Sequence, residues 1–192
     1  MFNQKNKVTR ADYEQWRAGQ DETAGRIASD PDRLLFHVEP ELGWLNDPNG
    51  LVQIGDIYHI YHQYDPFDAA HGGPVIWNYL TTKDFVTYEN RGPVLFPDSD
   101  LDSSGAYSGS AFVHDGKIHY FYTGNVKHFD RDDYDYVLTG REQNQIHVVA
   151  ENPDELGEKR IAVGPVDYPD DIGTHVRDPK ILEHDGIYYM VL

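Results

Sequence analysis

The sequence predicts an all-β fold of the β-propeller type, preceded by a short helical segment. From residue 35 onward, short runs rich in β-branched and aromatic residues alternate with clusters of Gly, Asp, Asn and Pro, the punctuation of strands and tight turns. One pattern also recurs: a polar opening, a short apolar strand, a Gly-Asp or Asp-Gly turn and an aromatic strand. It is seen in "NDPNGLVQIGDIYHIYHQY", "YSGSAFVHDGKIHYFYTG" and "RDPKILEHDGIYYMVL". The turns at Gly55-Asp56, Asp115-Gly116 and Asp185-Gly186 suit the positive φ of two-residue hairpins. They fall roughly 60 and 70 residues apart, room for a four-stranded blade with long connections. A β-sandwich is the default for an all-β chain but does not predict this recurrence.

Residues 9–29, "TRADYEQWRAGQDETAGRIAS", read as one polar helix or two short ones. Thr9 is a natural N-cap, Tyr13, Trp16 and Ala24 mark a weak apolar face, and Pro31 ends the pattern. Residues 1–34 are therefore expected to form a helical extension with a packing role. Residues 35–192 are expected to form about two and a half blades of a propeller.

The phase of the repeat carries the functional argument. Asp47, Ser108 and Asp178 all precede their hairpin turns by nearly the same distance, which puts each near the start of a blade's first strand. First strands line the central channel of a propeller, so the three residues are expected to converge at one end of it. Carboxylates gathered across a concave site from distant sequence are what sugar cleavage uses.

Each residue has a plainer reading. Asp47, before Pro48, could be a turn residue. Trp44 and Leu45 are expected to half-bury it, and Asn46 offers a ligand a donor. Asp178 follows Arg177; the two read equally as a surface pair or as an Arg that keeps a hydroxyl-binding carboxylate ionised. Ser108 serves either sheet packing or hydroxyl binding, and Gln63 either caps its strand or binds a hydroxyl.

Other classes are disfavoured. A net charge of −17 opposes phosphate-backbone binding, so no nucleic-acid partner is expected. The chain has no cysteine, which excludes disulfide and thiolate sites and fits a reducing compartment. The first residues lack a signal-peptide core and no window is apolar enough to span a bilayer, so a cytoplasmic protein without a membrane partner is expected. His59 and His62 point to opposite faces of a strand, and no His-Glu-x-x-His is present; no metal and no cofactor are expected. Neither a phosphate-cradling Gly-rich loop nor a Gly-x-Ser-x-Gly elbow occurs. Oligomeric state is left open.

"WLNDPNG", "HQYDP", "YSGSA", "YTGN" and "HVRDPK", in this order and spacing, resemble glycoside hydrolase family 32, from about residue 36 to the end. The resemblance implies a five-bladed propeller and hydrolysis of the β-fructofuranosidic bond of sucrose or sucrose-6-phosphate, with retention through a covalent fructosyl-enzyme. It implies Asp47 as nucleophile and Asp178 as the residue that holds fructosyl hydroxyls and stabilises the transition state. Asn46, Gln63, Tyr107, Ser108 and Arg177 fall at sugar-pocket positions. Fructosyl transfer, fructan hydrolysis and a non-catalytic sugar-binding propeller are the alternatives on the same scaffold.

The sequence departs from the family pattern in three places. His71 stands near a usual Trp, and Trp77-Asn78-Tyr79 stands where Trp-Gly-His is usual. The family's general acid, a Glu commonly followed by Cys in a later blade, has no counterpart in motif. Glu142, Glu151, Glu155, Glu158 and Glu183 are the nearby carboxyls. The expectation is a partial propeller that stops before the acid blade, poorly stable and inactive alone.

Overall fold

The computed structural model describes residues 2–34 and 36–192. Residue 35, where the sequence puts the start of the propeller, lies outside the described residues. The polar segment forms two helices, α1 (Arg10–Arg17) and α2 (Asp21–Ala28). Thr9 caps α1 reciprocally: its hydroxyl accepts from the Asp12 N–H at 3.2 Å, and the Asp12 carboxylate accepts from the Thr9 N–H at 2.9 Å. Tyr13 and Trp16 meet Phe67 at ring distances of 6.5 and 4.9 Å. Val8 is buried with Tyr64, Ile76 and Phe96. Helix α1 thus packs beside the first sheet through Tyr13 and Trp16, and no helix among the described residues is long and apolar enough to cross a membrane.

The first blade is an antiparallel sheet of β1 (Trp44–Ile54), β2 (Ile57–Asp65), β3 (Ile76–Thr82) and β4 (Tyr88–Leu95), hydrogen-bonded in that order. The second repeats it with β5 (Ala106–His114), β6 (Lys117–Lys127), β7 (Arg141–Ala150) and β8 (Arg160–Val163). A third begins with β9 (Lys180–His184) and β10 (Ile187–Val191). The fold class read from the sequence is therefore correct, down to about two and a half blades. The hairpin turns lie where expected, with φ 62° at Gly55, 49° and 74° at Asp115-Gly116, and 53° and 75° at Asp185-Gly186.

The core lies between the first two blades. Tyr61, Trp77 and Tyr79 of one meet Ala111, Tyr120, Tyr122 and Ile146 of the other. The Tyr61 and Tyr120 rings cross edge-on at 5.3 Å, and their hydroxyls bond each other at 2.6 Å, so neither buried phenol is left unpaired. Strand β1 lies against β5 and β5 against β9, which brings the first strands of all three repeats side by side.

Candidate active site

Bulges aim the first two site residues. Leu45 pairs with Tyr64 and Pro48 with His62, so Asn46 and Asp47 together oppose Gln63. Pro48 has no N–H for the ladder, which favours a break there. The second blade repeats the device: Ala106 pairs with Gly124 and Gly109 with Tyr122, so Tyr107 and Ser108 together oppose Thr123. A bulge bends the strand and redirects its side chains.

The redirected groups meet across the two blades. Asn46 Nδ2 donates to Gln63 Oε1 at 2.8 Å, Gln63 Nε2 donates to Ser108 Oγ at 2.8 Å, and Ser108 Oγ donates to Asp47 Oδ2 at 3.0 Å. Gln63 and Ser108 are buried, whereas Asp47 is exposed. The half-burial expected from Trp44 and Leu45 is not found. Trp44 instead stacks on His71 at 5.7 Å, an aromatic pair that uses the residue standing near the family's usual Trp. His71 sits in the left-handed region at φ 59°, in a loop whose ends are tied by Asp65, which accepts from the N–H groups of Phe67, Asp68 and Gly73.

Asp178 lies two residues before β9 rather than within it. Its φ of 64° is left-handed, a costly conformation for a non-glycine residue that is commonly found at functional sites. Its N–H donates to Thr123 Oγ1 at 2.9 Å, and the next carbonyl, of Pro179, accepts from Ser110 Oγ at 2.7 Å. The second blade therefore holds the turn that presents Asp178. Burial raises the Asp178 pKa, the Arg177 charge opposes this, and the Asp47 charge reinforces it. Arg177 Nε lies 3.6 Å from Asp178 Oδ2. Arg177 thus acts in the expected direction, but burial and Asp47 outweigh it. Tyr107 is half-buried, which pushes its phenol up to about 12 despite the nearby Arg141 and Arg177 charges.

Three residues join this cluster that sequence reasoning passed over. Asn49 Nδ2 donates to the Asp47 carbonyl at 3.3 Å and lies 3.4 Å from Ser108 Oγ. Trp77 Nε1 donates to the Tyr107 carbonyl at 3.0 Å, and Thr123 holds Asp178. Asn49 and Thr123 sit inside the quoted motifs, which is the signal that could have found them, and Trp77 opens the stretch that departs from the family pattern. Asn78 and Tyr79, by contrast, are buried within the first blade: Asn78 bonds His62 and Asn90, and Tyr79 stacks on Tyr61. Three of the five glutamates are held in ion pairs, Glu142 with His128, Glu151 with Lys117 and Glu158 with Arg160.

Comparison with known proteins gives this cluster its context. The family model for the Glycosyl hydrolases family 32 N-terminal domain matches residues 37–192. The chain is 37% identical over 164 residues to a sucrose-6-phosphate hydrolase of Bacillus subtilis, covering 85% of this chain and 32% of that protein. It superposes on sucrose-6-phosphate hydrolase from Lactobacillus gasseri with a TM-score of 0.78 at 33% identity, covering 95% of this chain and 36% of the other. Fructan 1-exohydrolase IIa from Cichorium intybus superposes at 0.62 and 28% identity, over 78% of this chain and 27% of the other. The chain thus spans about a third of the length of the curated relatives it matches. On the family match and these likenesses, the chain belongs to glycosyl hydrolase family 32, as part of its N-terminal domain.

Proposed function

We propose that these residues carry the nucleophile side of a retaining β-fructofuranosidase site acting on sucrose or sucrose-6-phosphate. The observation that supports it best is the hydrogen-bonded path from Asn46 through Gln63 and Ser108 to Asp47. It fixes one carboxylate oxygen of an exposed aspartate and leaves Oδ1 without a hydrogen bond among the described residues. In this reading Asp47 Oδ1 attacks the anomeric carbon of the fructosyl unit, and the bond to the leaving sugar's oxygen breaks. That oxygen takes a proton from a second carboxyl group, which family resemblance puts in a later blade. Water then cleaves the fructosyl ester and restores Asp47. Asp178, with Arg177 beside it, grips fructosyl hydroxyls, and Asn46, Gln63, Tyr107 and Ser108 shape the same pocket.

The test is Asp47→Asn in the protein at its full natural length. Sucrose cleavage should fall by about 10⁴-fold or more, with the melting temperature equal or higher. Retained cleavage would remove Asp47 from the role. The likeness to a fructan exohydrolase favours fructan cleavage as the second reading. Comparing turnover of sucrose and of a fructan oligosaccharide separates the two.

A further inference from the structure

Three cross-strand pairs stand in register on β6 and β7: Thr123 opposite Gln145, Asn125 opposite Gln143, and Lys127 opposite Arg141. The first pair is well bonded. Thr123 Oγ1 lies 2.9 Å from Gln145 Oε1 and accepts from the Asp178 N–H. The next two pairs are not. Asn125 and Gln143 are 0% and 1% exposed, and neither side-chain amide has a hydrogen-bond partner among the described residues. Arg141 is 3% exposed, and its Nε and Nη1 are equally unpartnered. Its Nη2 reaches only the Tyr134 hydroxyl, at 3.4 Å, and its guanidinium lies 3.9 Å over the Tyr136 ring. Buried polar groups are nearly always bonded, so these adjacent orphans call for a partner.

Charge narrows what that partner is. Lys127 and Arg141 are like charges set directly opposite each other, a pairing that repels. Burial, with the Arg141 charge, pushes the Lys127 ammonium down to about 8. Lys127 finds only the neutral side chain of Gln4, and neither cation is in an ion pair among the described residues. This holds in a chain of net charge −17, where carboxylates are plentiful. Arg177 continues the positive region toward Asp178, and the Arg141 and Arg177 charges both reach the Tyr107 phenol. A dianion with several acceptor oxygens relieves the repulsion and satisfies the orphaned guanidinium N–H groups.

We infer that Lys127 and Arg141 form an anion subsite for a phosphate monoester on the sugar. The inference rests on the fructosidase reading, since the phosphate is the one the disaccharide carries into the site.

The experiment compares kcat/KM for sucrose 6-phosphate and for sucrose, using the protein at its full natural length and its Arg141→Gln and Lys127→Gln variants. The preference for the phosphorylated sugar should fall about 10- to 100-fold in Arg141→Gln and by less in Lys127→Gln. An unchanged preference in both variants overturns the subsite. Should Arg141→Gln fail to fold, half-buried Lys127 carries the test alongside a second measurement. Inorganic phosphate at constant ionic strength should raise the Tm of the wild type more than that of Lys127→Gln; equal or absent shifts overturn the subsite. A wild type that cleaves neither sugar overturns the fructosidase reading, and the subsite is then decided by the phosphate shifts alone.

Discussion

Ser108 is the residue on which the cluster turns. It donates to Asp47, accepts from Gln63 and lies within reach of Asn49. Ser108→Ala leaves a buried Gln63 N–H without an acceptor, which should cost about 1–3 kcal/mol in stability. It also frees the Asp47 carboxylate to rotate, so turnover should fall roughly 10-fold in the protein at its full natural length. Urea unfolding and initial rates check the two effects separately; a silent substitution in both would show that Ser108 only fills space. In the sequence Ser108 and Asp47 stood out by their phase in the repeat and Gln63 as a hydroxyl-binding candidate, but nothing showed that they bond to one another. Gln63 lies 45 residues from Ser108, and no local pattern pairs the two.

Two bulges do at the level of elements what a regular strand does not. Regular alternation would send Asn46 and Asp47 to opposite faces. The extra residue at each bulge turns Asp47 and Ser108 toward one another across the blade boundary. Gly109 closes the second bulge where β5 and β6 come very near: a Cβ there would lie 2.0 Å from the Phe121 carbonyl oxygen and 2.6 Å from Tyr122 Cα. Backbone cannot give way as a flexible side chain can. Gly109→Ala should therefore cost ~3 kcal/mol, read from the denaturation midpoint, and should displace Ser108. A neutral outcome would mean that β5 tolerates a register shift. Strand positions were legible because composition and turns mark them. The bulges were not, because they depend on which residue faces which across the ladder.

Across the whole molecule, histidines couple the folded state to pH. Burial lowers the pKa of His59 and His62 in the first blade and of His119 and His147 in the second. His59 is bonded to the Tyr79 hydroxyl, and His119 and His147 to each other at 3.0 Å. Above the unfolded value of 6.5 these rings are neutral in both states and no penalty arises. Below it the unfolded chain takes up protons that the folded chain resists, so stability falls until the lowered folded values are passed. Asp65 and Asp178 work in the opposite sense, since burial raises them, but from 3.8 upward. Unfolding free energy should therefore drop as the pH falls through 6.5. His147→Phe should flatten the drop, as the ring stacks on Phe121 at 4.3 Å and carries no proton. A flat wild-type profile would show that these rings take up protons without unfolding.

By itself the sequence determined the all-β class, the repeat, the hairpin turns and the candidate aspartates, because strand composition, Gly-Asp turns and motif phase are local properties. The tertiary structure alone decided that Asn46, Gln63, Ser108 and Asp47 form one hydrogen-bonded path. It also decided that Asp178 is presented by a left-handed turn held from the second blade, and that Lys127 faces Arg141. Register and blade-to-blade contact set these relations, and both join residues far apart in the chain. No window of sequence contains the partners whose distance matters.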